Sequence, residues 1–145
     1  MQAVGATRTG IRLSPDAGIW GVRETDALEL YPALLAELAP LGLAYIHVIA
    51  SAPDEVLAAM RRAWPRAMIV NPNHPANTTR SDRAAAERWL GRGADLISLG
   101  RAFIANPDLV ERLRRDVALA GEDPAYHYAG GDTGYLTYPS YVPLA

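Results

Sequence analysis

The chain has no cysteine. That excludes a disulfide framework, a thiolate metal site and a cysteine nucleophile. Long apolar runs are missing as well. Nothing approaches the roughly 18 consecutive apolar residues of a membrane helix, and "MQAVGATRTG" has no apolar core of a secretory signal. Excess positive charge is also absent. With 14 basic and 16 acidic residues the net charge is −2, and the arginines are scattered, so no basic face for nucleic acid is expected. The three histidines have no ligand-like spacing with carboxylates, which argues against a metal site. Walker A, G-x-S-x-G and G-x-G-x-x-G patterns do not occur. These absences together predict a cytoplasmic protein with no nucleic-acid or membrane partner.

What is present reads as a folded α/β chain. Of 145 residues, 50% are hydrophobic and 21% charged, enough to bury a core. Four short apolar runs end in loop residues: "TGIRLS" (9–14), "AYIHVIA" (44–50), "AMIVN" (67–71) and "DLISLG" (95–100). Each is too short for a helix and is bounded by Gly, Pro or Asn. Helical patterns follow them. Tyr31–Leu41 carries Leu34, Leu35, Leu38 and Leu41 on one stripe, with Pro32 near its start. Pro53–Trp64 has Ser51 upstream and Asp54 and Glu55 in its first turn. Ser81–Leu90 carries Ala84, Ala85, Trp89 and Leu90, and a glycine ends it. Asn106–Leu119 opens with Asn, Pro and Asp in capping order.

The resulting order is β-α-β-α-β-α-β-α, at spacings of roughly 22 to 35 residues that suit βαβ units. Strands this apolar predict a parallel sheet buried on both faces. The last stretch changes character: five of seven tyrosines lie among Gly and Pro in a Tyr/Gly-rich C-terminal strap. A small doubly wound sheet and half of a (β/α)8 barrel both fit four such units.

In parallel α/β folds the chemistry lies beyond the carboxyl ends of the strands. Those ends carry Arg12, Ser51, the pair Pro72-Asn73, and Gly100-Arg101. Arginine presents a forked, permanently charged donor suited to phosphate or an anionic ring edge. Gly100 permits close approach of a ligand to the backbone. Each has an ordinary reading too: Arg12 and Arg101 as salt-bridge partners, Gly100 as a turn residue, His47 as a hydrogen-bonded core histidine. The strap tyrosines read first as packing, although "HYAGG" offers a ring for a planar ligand.

Taken together, "GIRLSP" (10–15), "LAYIHV" (43–48), "GADLISLGRAFIANPDL" (93–109) and "GYLTYPSY" (134–141) resemble the C-terminal half of the Old Yellow Enzyme family. These are FMN-dependent NAD(P)H oxidoreductases, or ene-reductases, built on a (β/α)8 TIM barrel. The resemblance runs from about Thr9 to Tyr141 and makes an unrelated phosphate-binding α/β enzyme improbable. It implies that residues 1–145 form a single partial domain, with the four strands as about barrel strands 5 to 8.

By the same resemblance Arg12 reaches the pyrimidine edge of the flavin, and Gly100 and Arg101 grip its phosphate. Tyr128 stands near the substrate and nicotinamide face. The family's two glycines, or Gly-Asn, after strand 7 are matched here by Pro72-Asn73. Proline has no N–H, so only the Asn73 amide serves the phosphate there. No catalytic residue of the family falls within this half. Its substrate-anchoring pair and proton-donating tyrosine belong to the N-terminal half, which the sequence does not contain. The chain is therefore expected to be inactive alone toward an activated alkene. The alternative is a noncatalytic half-barrel that pairs with itself or with a partner chain, since an open half exposes two sheet edges and an apolar face.

Overall fold

The computed structural model describes residues 3–18, 21, 23–72 and 82–141. It contains two compact units, Met1–Thr79 with Ala84–Ser98, and Arg80–Arg83 with Leu99–Ala145. In the first unit four strands, β1 (Gly10–Leu13), β2 (Tyr45–Ile49), β3 (Ala67–Asn71) and β4 (Leu96–Ile97), form one sheet in the order β1-β2-β3-β4. Every pairing is parallel. Helices α1 (Ala27–Leu38), α2 (Asp54–Ala63) and α3 (Arg83–Gly91) form the connections.

Sequential order favours the half barrel, which the motifs imply, over the doubly wound sheet that the strand and helix pattern alone also allows. A doubly wound sheet reverses direction and places helices on both faces. Here each strand lies beside its predecessor, so right-handed crossovers all fall on one side, as in a barrel. That side holds the core: Leu13, Ile46, Val48, Met68 and Val70 cluster with Tyr31 and Leu35 of α1, with Val56, Leu57 and Met60 of α2, and with Trp64 and Trp89.

The expectation of burial on both faces is therefore corrected. Burial is strongest on the residues that face the helices, and the opposite face keeps Arg12, Tyr45 and Leu96 exposed, with Ile49 at the end of β2 its one buried aliphatic among the described strand residues. Within this unit, helices wound on one side cover one face only.

Helix boundaries differ in instructive ways. α1 begins at Ala27, four residues before the expected Tyr31, because the Asp26 carbonyl accepts from Glu29 and Leu30 and starts the first turn. Pro32 lies inside α1 rather than at its start. Leu41 falls in a 3-10 turn, Ala39–Leu41, and is exposed. Ser51 does not cap α2; its hydroxyl donates to the Pro15 carbonyl, joining the loops after β1 and β2.

In the second unit the expected helix from Asn106 is shortened to α5 (Leu109–Arg115), and another short helix, α4 (Gly100–Ala105), precedes it. Asn106 is fully buried between them, not a cap. Its Nδ2 donates to the Ala102 and Ala120 carbonyls at 2.8 and 3.2 Å, and its Oδ1 accepts from the Ala120 amide at 2.8 Å. That amide group saturates three backbone groups of two segments, which a cap would leave unpaired. Arg112 ties down the strap. It pairs with Asp108 at 2.7 Å and donates to the Ala118 and Pro139 carbonyls, while Asp108 also accepts from the Tyr141 amide. The Arg112 hydrogen bond holds the Asp108 carboxyl below the usual carboxylate range. The strap glycines have a packing reason: a Cβ at Gly130 or Gly134 would collide with Tyr126.

Candidate functional site at the open face of the sheet

The polar residues of the first unit's open face gather toward the carboxyl ends of the strands. Arg12 on β1 and His47 on β2 are register partners, so their side chains leave the same face side by side. Arg12 Nη1 stands 3.3 Å from His47 Nδ1, and His47 Nε2 stands 2.7 Å from Ser98 Oγ. Asn71, the last residue of β3, donates from Nδ2 to the Ser98 carbonyl at 3.0 Å. Four strands or strand ends thus contribute one side chain each.

The contact between His47 and Ser98 reports the curvature of the sheet. β2 and the segment after β4 are separated by β3. In a flat sheet, alternate strands lie about 9.6 Å apart, twice the inter-strand spacing. A 2.7 Å contact between their side chains requires the open face to be concave. Layers of side chains from alternate strands are what fill a barrel interior. Gly10 and Tyr45 fit the same concavity, since a Cβ at Gly10 would collide with the Tyr45 ring.

Burial lowers the pKa of His47 from its ordinary value, and the Arg12 charge lowers it further. Both effects favour the neutral imidazole. Loop positions near Arg12 are held by Glu24, which accepts from the Asp16 amide at 2.8 Å and from the Tyr31 hydroxyl at 2.8 and 3.0 Å. Burial, reinforced by Glu24, raises the Tyr31 phenol above its ordinary pKa.

The residues singled out in the sequence fare differently. Arg12 joins the cluster. Gly100 and Arg101 open α4 in the second unit, where a Cβ at Gly100 would meet nothing within 4 Å, so the local fold itself does not demand a glycine. Tyr128, also in the second unit, is fully exposed, and its ring meets His127 edge-on at 6.3 Å. Pro72 is buried behind β3, and Asn73 lies outside the described residues. Asn71 stands among the strand-end residues of the sequence, whereas Ser98, inside the expected strand 95–100, gives no such signal. Alternation within each strand places both on the Arg12 face, but only the inter-strand register brings them to His47.

Among the described residues, no cluster of three or more His, Asp or Glu is placed to hold a metal ion, and no helix is long and apolar enough to cross a membrane. The sequence model of the NADH:flavin oxidoreductase / NADH oxidase family matches residues 1–120. The putative 12-oxophytodienoate reductase 10 of Oryza sativa subsp. japonica is 32% identical over 151 residues, covering 94% of this chain and 46% of that protein. Chanoclavine-I aldehyde reductase of Penicillium roqueforti is 33% identical, covering 95% and 40%. Among solved structures, morphinone reductase superposes with a TM-score of 0.84 at 32% identity, covering 97% of this chain and 38% of that one. The old yellow enzyme from Trypanosoma cruzi gives 0.84 at 33%, covering 97% and 37%. The chain spans less than half the length of these relatives.

Proposed function

This chain belongs to the NADH:flavin oxidoreductase / NADH oxidase family, and from that premise we propose that it is the FMN-binding portion of an ene-reductase, a single partial domain over residues 1–145. The observation that carries the proposal is the concave face on which Arg12, His47, Asn71 and Ser98 converge at the carboxyl ends of the strands. A guanidinium, an amide and a hydroxyl on that face suit a planar group rich in carbonyl and ring-nitrogen acceptors. Among the described residues, no carboxylate bonds to Arg12 or His47 and competes for their donors. FMN, when bound, supplies the hydride chemistry, with NAD(P)H as reductant and an activated alkene as acceptor, while the protein supplies position and charge.

In this reading Arg12 places positive charge beside the flavin ring edge that becomes electron-rich on reduction. Gly100 and Arg101 hold the phosphate through backbone amides and the guanidinium, and Asn73 adds one amide. Pro72 offers none, which weakens the grip at that loop. Tyr128 belongs to the substrate face. The chain alone is expected to be inactive, because the groups that anchor substrate and donate its proton come from the rest of the enzyme.

A titration into FMN, followed by quenching of flavin fluorescence, tests the proposal. Saturable quenching that Arg101→Ala weakens by an order of magnitude or more supports it. No quenching at high protein concentration refutes an autonomous FMN site in this chain.

The sheet ends at β1 and β4, and the exposed side chains of Tyr45 on β2 and Leu96 on β4 favour one second reading: a noncatalytic half-barrel completed by another copy or a partner chain. Sedimentation across a range of protein concentrations separates the two, since a self-paired half-barrel dissociates on dilution and a monomer does not change.

A further inference from the structure

The contacts of His47 fix its tautomer. A guanidinium has donors and no acceptor. The nitrogen facing Arg12 Nη1, Nδ1, must therefore be the unprotonated one. The proton of the neutral ring then sits on Nε2, which donates to Ser98 Oγ. Ser98 is itself held in place: its amide donates to the Val70 carbonyl at 2.9 Å, and its carbonyl accepts from Asn71 at 3.0 Å. The arrangement is a chain of donors running one way, from Arg12 to His47 to Ser98, anchored in the sheet at the serine end.

Arg12 needs such an anchor. It is exposed, and its long side chain has many rotamers of similar energy. The contact with His47 uses one of its five N–H groups and leaves the others for a ligand. Protonating the ring would remove the acceptor and set a second cation beside the guanidinium. The charged group acting on His47 is Arg12 from β1, while Ile69 and Asn71 of β3 and Ser98 after β4 carry no charge.

We propose that His47 is a positioning residue for Arg12: its neutral Nε2–H imidazole, locked by Ser98, orients the guanidinium toward the edge of a planar, acceptor-rich ligand. This rests on the reading of Arg12 as a flavin contact, which deepens here into a three-residue device. It also explains why a histidine, rather than another apolar residue, stands inside β2.

Two measurements on the full chain test it. The first needs no ligand. Two-bond proton–nitrogen correlation spectra of the 15N-labelled chain at pH 7.5 should show His47 as the Nε2–H tautomer, with an Nδ1 resonance that moves on Arg12→Leu. An Nδ1–H tautomer, a protonated ring, or an Nδ1 resonance indifferent to Arg12→Leu overturns the proposal. The second is a double-mutant cycle in FMN binding by fluorescence quenching. His47→Leu should weaken FMN about tenfold in the parent chain and leave it unchanged in an Arg12→Leu background. His47→Asn, whose Oδ1 can accept where Nδ1 stands, should recover most of the loss. Equal losses from His47→Leu in both backgrounds, or no recovery with asparagine, show that His47 does not act through Arg12. If the parent chain binds no FMN, the functional reading fails, while the spectra still decide whether His47 holds Arg12.

Discussion

On one face of the sheet Ile46, Val48, Met68 and Val70 are sealed against α1, α2 and Trp89; on the other, Arg12, Tyr45 and Leu96 meet solvent and His47 is half-buried. The same short strands supply both faces. The covered face is uniformly aliphatic and is where burial of apolar area stabilises the unit. The open face is mixed, with hydrogen bonds joining residues of separate strands. On the proposed reading stability and recognition fall on opposite sides of one sheet, and each side should respond to a different kind of perturbation.

The largest effect should come from the covered face. Ile46→Ala removes a fully buried side chain, and unfolding in urea followed by circular dichroism should show a loss of about 3 kcal/mol. A loss below about 1 kcal/mol would mean that this face is less tightly packed than the core cluster implies. His47→Leu, on the open face, should change stability by about 1 kcal/mol or less, because modest net hydrogen-bond energy is exchanged for an apolar side chain. A loss as large as that of Ile46→Ala would assign the Arg12–His47–Ser98 chain to stability rather than to recognition.

A pH dependence sharpens the contrast. His47 has a folded pKa below its unfolded value near 6.5. Between those two values the unfolded chain binds more protons, so its contribution is complete above pH 6.5 and is lost as pH falls through the folded pKa. Thermal melts at pH 7.5 and 5 should show this acid loss, and His47→Asn should reduce it. Unchanged acid sensitivity in the variant would place the titrating group elsewhere. The smallest effect is expected for Leu96→Ala, within about 0.5 kcal/mol, because that side chain is 56% exposed. A larger loss that grows with protein concentration would show the open face covered by a second copy.

Much of this was legible from local patterns. β3 spans the expected 67–71, and α2 lies within one residue of its expected ends, since acidic residues open it and basic ones close it. Where local signals misled, a tertiary contact had overridden them. Pro32 resembled a helix start, yet Ala27 and Tyr31 are both buried and extend α1 by a turn before it. Asn106 resembled a cap, yet its amide is spent on Ala102 and Ala120. "DLISLG" resembled one strand, yet pairing stops at Ile97 and Gly100 already begins a helix.

The sequence by itself determined the alternation of strands and helices, the parallel sheet and the family, because hydrophobic period, turn residues and contiguous motifs are local properties of the chain. Only the tertiary structure decided which strand face stays open, how far the sheet curls, and that His47 meets Ser98, 51 residues further on. Those depend on register and curvature across three strands, and no stretch of neighbouring residues encodes a contact that arises only when separate strands are laid side by side.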